Sequence, residues 1–539
     1  MSVLCVAVLV VNIDMTILNV ALPTLVRKLH ATSSGLQWIV DAYAMAFGGL
    51  LLVAGSLGDR LGRKRLFLTG FCLFAIGSLG AAFSGSVGVL IAWRAVMGVG
   101  AAMTIPAGLS ILDDVFPDPR ERARAIGVWG GTMGVGIAIG PLAGGLLLSR
   151  LWWGSVFFVN VPLLIIGALA AWRLVPESRN PAAGRPDPAG ALLSIVGLGL
   201  LLWAIIEAPT HGWGSSRVVV AGICAIATLA VFVGWEARSD HPMLKLQFFR
   251  SQRFTAAIAA LLLGLFPLVG ALFVVTQVLQ FDLGFSPLEA GVRLLPMAGL
   301  VAVAAPLSTP VVRAIGSKLT ATAGLAAIAG GLGWAAVAST ASASYGDLVP
   351  GMLLVGAGAG LLMPTAADAV LGSLPRTEAG VGSGTYGLAI QVGGALGVAV
   401  MGSMLSTRYQ QHITSALSSH SVPPAVLHTI TGSLGGALGV ASAVGGVSGS
   451  LLDHAARAAF MSGSHLSQGA GALVAGAAAL LVLAALPSRG TADGEQTHPR
   501  EAPASATRPE LYSQPDYDYP HVAPRSDHRS VDAGAPGRN

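Results

Sequence analysis

The sequence predicts an all-α integral membrane protein of about 14 transmembrane helices, built as two six-helix halves with a two-helix insertion between them. Three observations support this fold class. Of 539 residues, 53% are hydrophobic and only 11% are charged, and the mean hydropathy is +0.71. The apolar runs are long enough to cross a bilayer, and some motifs recur at a fixed offset. So little polar surface excludes a soluble protein.

The apolar runs define the predicted spans, because a helix needs roughly 20 apolar residues to cross the bilayer core. The first run lacks a basic start and contains Asp14 and Pro23, so we expect a retained span rather than a signal peptide. The predicted spans are residues 2–25, 36–57, 66–84, 87–109, 123–148, 154–174, 189–208, 217–236, 255–278, 290–312, 319–340, 347–372, 380–405 and 470–487.

The basic residues predict the orientation of these spans. Loops on one side hold 17 Lys and Arg residues, and loops on the other side hold 6. Because Lys and Arg accumulate on the cytoplasmic side, we expect both termini to be cytoplasmic. Two segments are expected outside the helices: a long outer loop at 406–469 and a disordered tail at 488–539, which is poor in aliphatic residues.

Several function classes are excluded by the composition. The net charge of +5 is modest and its bases lie in short loops, which argues against nucleic-acid binding. Cys5, Cys72 and Cys224 lie in apolar runs without paired spacing, so neither disulfides nor a zinc site are predicted. Walker, kinase and zinc-ligand motifs are absent from the sequence. We therefore expect no metal, no cofactor and no enzymatic activity.

A cluster of charge, Gly55–Leu66, separates spans 2 and 3. Its bases would anchor the loop at the anionic cytoplasmic face, while its acid would interact with a helix N-terminus or an arginine. Such contacts act as a latch when they form in one conformation and break in another. The plain alternative is a run of charge that only sets topology. The candidate latch residues are Gly55, Asp59, Arg60, Gly62, Arg63 and Lys64.

Charged residues lie inside predicted spans 1, 2 and 4. Arg94 in span 4 places a permanent cation in the membrane, which is costly unless the cation is paired or hydrated. Asp14 in span 1 lies at a similar depth and is its natural partner, and Asp41 of span 2 lies in the same outer half. A carboxylate in a low dielectric beside a movable partner can bind and release a proton. A static ion cluster of all three is the alternative.

Span 5 is rich in glycine around a proline. Glycines at this density let helices approach closely, and the proline interrupts the hydrogen-bond ladder so that the helix can kink or rock. Small-residue packing alone is the alternative for any one of them. The pattern comprises Gly127, Gly136, Gly140, Pro141, Gly144 and Gly145.

Four further charged residues are candidates for lining a transport path, each with a structural alternative. Glu207 near the outer end of span 7 would otherwise be an interfacial anchor. Glu289 and Arg293 would otherwise form a pair four residues apart on one helix. Asp368 near the inner end of span 12 would otherwise be solvated at the cytoplasmic face.

An internal repeat relates spans 1–6 to spans 9–14. Gly98-x-Gly100 followed by Pro106 recurs 258 residues later, and Gly62-Arg63-Lys64 recurs 254 residues later as Gly316-Ser317-Lys318. Both offsets equal eight spans, so each copy crosses the membrane in the same direction and the substrate path is expected between the halves. The second copy has Arg313 in the place of Asp59 and Met352 in the place of Arg94.

The repeat gives the predicted division of the chain. The first half covers 1–174, the insertion with its inner loops 175–254, and the second half 255–487, followed by the tail at 488–539.

The loop motif, Arg94, Asp14 and the glycine pattern of span 5 together resemble the fourteen-span drug:proton antiporters of the major facilitator superfamily. The resemblance covers roughly residues 1–405 and 470–487, although Met97 stands where that family usually has glutamine. It implies the major facilitator fold and a monomer in a bacterial plasma membrane. It also implies export of amphipathic drugs or antibiotics, driven by a proton gradient without a cofactor.

The mechanism expected from this resemblance is protonation of Asp14 or Asp41, which loosens a contact with Arg94, while the drug competes for the same carboxylates. Two alternatives remain open at this point. The protein would instead be a dedicated exporter of one metabolite or lipid, or a non-transporting membrane sensor or scaffold. The intact span 5 pattern argues against the second alternative.

Overall fold

Helices form every regular element that the structure describes, as the long apolar runs predict. Thirteen of these helices are long and apolar enough to cross a membrane. The predicted disordered tail at 488–539 lies outside the described residues. The computed structural model describes residues 1–116, 118–179, 187–239, 242–340, 343–374 and 379–486.

The chain forms two sets of spans around two inserted helices. The first set is α1 (Ser2–Leu29), α2 (Ser33–Leu61), α3 (Arg63–Ala82), α4 (Val87–Val115), α5 (Pro119–Arg150), and the pair α6 (Ser155–Phe158) and α7 (Asn160–Leu174). The inserted helices are α8 (Pro188–His211) and α9 (Ser216–Glu236). The second set and its connections are α10 (Gln252–Gln277), α11 (Pro287–Ala338), α12 (Tyr345–Leu371), α13 (Ala379–Leu417), α14 (Pro424–Gly432), α15 (Leu434–Val444) and α16 (Gly446–Ala485).

One of the thirteen helices contains two spans. The 52 residues of α11 turn back at Gly316, where φ is 83° and ψ is 160°. Gly62, its predicted counterpart, also has a positive φ, 115°, between α2 and α3. A side chain at either position would be strained, so glycine is what allows a reversal with almost no loop. Counting both arms of α11 gives fourteen spans, which confirms the predicted fold class.

The two sets pack in the same way. In the first set α1 packs on α5, and α4 packs on both α2 and α3. In the second set α10 packs on α13, and α12 packs on both arms of α11. Gly98 meets the backbone of α2 and Gly100 that of α3, while Gly356 and Gly358 meet the two arms of α11 in the same order. The repeated glycines therefore serve the same close helix contacts in each set.

Two helix pairs make the most extensive contacts between the sets. α2 packs against α13, and α5 packs against α11. The inserted helix α8 packs against both α2 and α13, and α9 packs on α8. We call the end of the helices that carries Gly55–Leu66 the loop end, and the opposite end the far end.

The prediction of a long non-helical loop at 406–469 is wrong. Residues 406–417 extend α13, α14 and α15 follow, and α16 begins at Gly446. The segment is small and Gly-rich, but it finds packing partners: Tyr409 donates a hydrogen bond to Ile430 O at 2.7 Å, and Gly435 lies against Val26 and Phe281. Tertiary contacts override a weak intrinsic helix propensity here. We call 406–469 the cap.

The turn at Gly316 generates a test of the fold. Gly316→Ala places a Cβ in a region of φ and ψ that is almost restricted to glycine, so we expect it to destabilise the protein by about 1–3 kcal/mol. Gly330→Ala is the matched control, because Gly330 lies inside a helix with open space around it. Thermal unfolding in detergent should show a lower Tm for the first variant alone. Equal Tm values would contradict the strained turn.

Candidate functional site

A fully buried ion pair lies between α1 and α4. Arg94 is 1% exposed and Asp14 is 0% exposed, and Arg94 Nη1 lies 2.6 Å from Asp14 Oδ2. Arg94 Nε also donates to Ile39 O at 3.0 Å, and the guanidinium lies 4.4 Å from the centroid of the Tyr43 ring. The cation is thus compensated by a carboxylate, a carbonyl and an aromatic face.

The second oxygen of Asp14 is also bonded. Asn160 Nδ2, at the start of α7, donates to Asp14 Oδ1 at 3.0 Å. Sequence reasoning missed this residue, although a lone amide within an apolar run was a signal that could have found it. Met97, at the position usually occupied by glutamine, places its sulfur 3.9 Å from Arg94 Nη1. Thioether sulfur is only a weak acceptor, so Asp14 provides the main compensation.

Asp41 is buried apart from this pair. Its side chain is 0% exposed, and neither of its carboxylate oxygens has a hydrogen-bond partner among the described residues. The hydrogen bonds of Arg94 go instead to α1 and to the backbone of α2. The alternative of one static ion cluster that includes all three charges is therefore not what the structure shows.

Helix geometry separates Asp41 from Arg94. Tyr43 lies against Arg94, and a step of two residues turns a helix by about 200°. Asp41 instead shares its face of α2 with Gln37, whose Nε2 donates to Val398 O at 3.1 Å. Gly48, two turns from Asp41, lies against Gln391. Asp41 is therefore on the face of α2 that meets α13 of the second set.

The glycines of span 5 connect the helix of Asp14 to the second set. Gly136, Gly140 and Gly144 form a stripe on α5 that lies directly against α1. Gly145 faces the start of α11, and Pro141 contacts Gly291 there. Gly127 differs, since no atom lies within 4 Å of the place where its Cβ would be. The motif thus touches both sets of spans.

At the loop end, Arg63 lies between two acids. Its Nε donates to Asp59 Oδ1 at 2.8 Å, and its Nη1 contacts the carboxylate of Asp114 at the end of α4. The partner of Asp59 is therefore an arginine, one of the two expected options. Asp114 was missed by sequence reasoning, although an acid at the end of an apolar run was available as a signal.

Arg63 and Lys64 also contact the end of α7 and the segment that follows it. Lys64 Nζ donates to Trp172 O at 2.8 Å, and its backbone N donates to Glu177 Oε1 at 3.2 Å. Arg63 N donates to Ser178 O at 3.0 Å. Arg60 is exposed. The loop is thus fastened to α4 and α7 of its own set, and Glu177 was a further partner that sequence reasoning missed.

Glu207 contacts the helix of Asp41. Trp38 Nε1 of α2 donates to Glu207 Oε1 at 3.2 Å, and His211 Nδ1 lies 3.7 Å from Glu207 Oε2. The residue therefore faces a neighbouring helix and is not only an anchor at the membrane surface.

Glu289 and Arg293 lie at the far end of α11. Glu289 caps the helix, accepting a hydrogen bond from Ser286 N at 2.9 Å in a capping box. The guanidinium of Arg293 stacks on Phe285, 3.6 Å from the ring centroid. Asp368 is exposed at the loop end of α12. The exposure of Asp368 favours its structural alternative. Glu289 and Arg293 have structural roles, a helix cap and an aromatic stack, but these differ from the expected ion pair.

The described residues contain no group of three or more His, Cys, Asp or Glu side chains that is placed to hold a metal ion. The candidate site therefore consists of the Arg94–Asp14 ion pair, the buried carboxyl of Asp41 and the glycine stripe of α5.

The chain is similar to known proteins over most of its length. The Major Facilitator Superfamily model matches residues 4–398. The Tetracenomycin C resistance and export protein of Streptomyces glaucescens is 33% identical over 93% of each chain. The Multidrug efflux pump LfrA of Mycolicibacterium smegmatis is 34% identical over 90% of this chain and 94% of its own.

Among solved structures, a bacterial homolog of the human lysosomal transporter Spinster, inward-facing and occupied, matches with a TM-score of 0.63. The match covers 90% of this chain and 96% of the other at 18% identity. At that identity the likeness concerns the fold.

The buried ion pair generates a test by double substitution. Asp14→Leu alone leaves Arg94 uncompensated, so we expect a loss of about 3–5 kcal/mol of stability. Asp14→Leu with Arg94→Met removes both charges, and the repeat already has Met352 at the equivalent place. Thermal unfolding in detergent should return the double variant close to the wild-type Tm. A double variant as unstable as the single one would contradict charge compensation.

Proposed function

Because the chain belongs to the Major Facilitator Superfamily, we propose that it exports amphipathic drugs or antibiotics in exchange for protons. It is a membrane transporter and not an enzyme. The drug class is supported by relatives that are named as resistance, export and efflux proteins. Each is about one-third identical to this chain, and the match covers most of the relative's own length. The chain is a multi-pass protein of the bacterial plasma membrane.

Proton exchange is supported by one observation above all. The carboxyl of Asp41 is buried at the contact between the two sets of spans and has no hydrogen-bond partner among the residues that the structure describes. An uncompensated charge is costly at such a place, so a proton or a cationic compound at Asp41 relieves that cost. Either occupant excludes the other, and this exclusion couples the two fluxes.

Asp14 gives the second part of the proposed mechanism. Protonation of Asp14 removes the charge that compensates Arg94, so the arginine then favours an arrangement in which it is hydrated or paired elsewhere. Asp14 lies on α1, against the glycine stripe of α5, and α5 also contacts α11. Small residues permit sliding and rocking at this contact, which gives a route from protonation to movement of one half against the other.

We further propose the division of the chain and its orientation. Residues 1–174 and 255–487 act as the two moving halves, and 175–254 is the insertion. The excess of basic residues at the loop end supports cytoplasmic termini. We propose that the monomer is functional, because a single chain supplies both halves and the helix pairs that join them, α2 with α13 and α5 with α11.

The proposal is tested by proton movement in proteoliposomes. Asp41→Asn and Asp14→Asn should each abolish proton movement driven by a lipophilic cation, because neither variant can exchange a proton at that position. Asp368→Asn is the matched control, since its carboxyl is exposed. A pH-sensitive dye inside the vesicles reports the flux. Unchanged coupling in both variants would exclude these carboxyls from proton exchange.

Cells provide the complementary test of the substrate class. Cells that express the gene should resist several unrelated lipophilic drugs, and a proton uncoupler should remove that resistance. Resistance to one compound only would favour a dedicated exporter. No change with any compound would favour a sensor or scaffold.

The loop-end contacts generate a further prediction. Asp59→Asn removes the charge that pairs with Arg63 in this conformation. We expect turnover to be about tenfold slower, which corresponds to an increase of roughly 1.4 kcal/mol in the activation free energy of the transport cycle. Drug binding should stay close to wild type, because the loop is far from Asp41. Asp113→Asn, at an exposed acid beside Asp114, is the control. Parallel loss of turnover and binding would indicate that the loop is needed only for folding.

A further inference from the structure

The inserted helix α8 lies over the contact between the two sets of spans. Ser403 Oγ of α13 donates to Ile205 O at 2.8 Å, and Trp38 Nε1 of α2 donates to Glu207 Oε1 at 3.2 Å. Gln37 Nε2 of α2 in turn donates to Ala399 O of α13 at 2.9 Å. Three helices, one from each part of the chain, are thus joined by hydrogen bonds near Asp41.

The contacts between α8 and α2 establish their register. Gly49 lies against Ile195, and Gly199 lies against Met45. Four residues forward along α8 therefore correspond to four residues back along α2. When this register is extended by another four residues on each helix, Asp41 lies level with Trp203. Glu207 then lies one helical turn away, about 6 Å along the axis.

Exposure falls steadily from the far end towards Asp41. The His211 side chain is 32% exposed and that of Glu207 is 18% exposed, while Asp41 is 0% exposed. His211 Nδ1 lies 3.7 Å from Glu207 Oε2 and 3.3 Å from the backbone O of Glu207, so a small side-chain rotation brings it to the carboxylate. Three groups that can carry a proton thus form a series from the surface to the buried carboxyl.

We propose that His211 and Glu207 carry protons between the far-end solvent and Asp41, so that the inserted helix is part of the proton path. Protonated His211 gives its proton to the Glu207 carboxylate and becomes neutral. Neutral Glu207 then gives a proton to the Asp41 carboxylate and becomes charged again. In this proposal the transfer across the single turn between Glu207 and Asp41 goes through a bridging water molecule. This inference rests on the proposed function, in which Asp41 exchanges the proton.

Other charged or titratable groups at the far end do not take the place of His211 and Glu207 in this path. They are Arg408 and His412 of α13 and Arg217 in the first turn of α9. None of them forms an ion pair with Glu207, whose ion-pair partner among the described residues is His211. On α2, Asp41 is the titratable carboxyl that lies within a turn of Trp38.

The experiment measures proton release from purified protein in detergent, where no gradient is needed. Stopped-flow mixing with tetraphenylphosphonium, a lipophilic cation, is followed with a pH indicator. Wild-type protein should release protons as the cation displaces them. Glu207→Gln keeps an acceptor for Trp38 but cannot carry a proton, so we expect release about 100-fold slower with unchanged amplitude. Formate, a small diffusible acid, should restore the rate.

Controls and outcomes separate this inference from the proposed function. Glu121→Gln, at an exposed acid on α5, should release protons at the wild-type rate, and His211→Gln should be slow like Glu207→Gln. A wild-type rate in Glu207→Gln would overturn the inference, as would lost amplitude, since Glu207 would then be the displaced site itself. A wild-type protein that binds the cation and releases no proton would overturn the proposed function instead.

Discussion

The cost of a permanent cation inside a membrane is the constraint on which the first set of spans depends. Arg94 cannot lose its charge, so its surroundings must supply a carboxylate, a carbonyl and an aromatic face. Those partners come from α1 and α2, and Asn160 of α7 holds the carboxylate in turn. One side chain therefore fixes four helices relative to each other, and a change in its partner affects all of them.

The second set repeats the packing without this charge. Met352 stands where Arg94 stands, and Gly356 and Gly358 of α12 meet the two arms of α11 as Gly98 and Gly100 meet α2 and α3. Helix packing alone thus suffices to build a six-span set, because small residues bring the backbones together. The charges of the first set are an addition to that scaffold, which is why we interpret them as functional.

Much of this structure was predictable from the sequence, and the failures have physical causes. Span number and the repeat follow from apolar runs and glycine spacing, which depend on local geometry. The separation of Asp41 from Arg94 depends on which face of α2 meets α13, and spacing along one chain does not determine that. The cap was missed because its helices are stabilised by neighbours such as Phe281 rather than by their own composition.

The cap also constrains how the far end works. Arg457 donates to Asp282 O at 2.6 Å, and the cap continues directly from α13 and into α16, so it is built onto the second set. The cap also reaches the first set, where Ser33 Oγ donates to Gly432 O at 3.1 Å and Val26 lies against Gly435. Because the cap also touches α1 and α2, any movement of one set against the other must change the contacts of the cap with the first set.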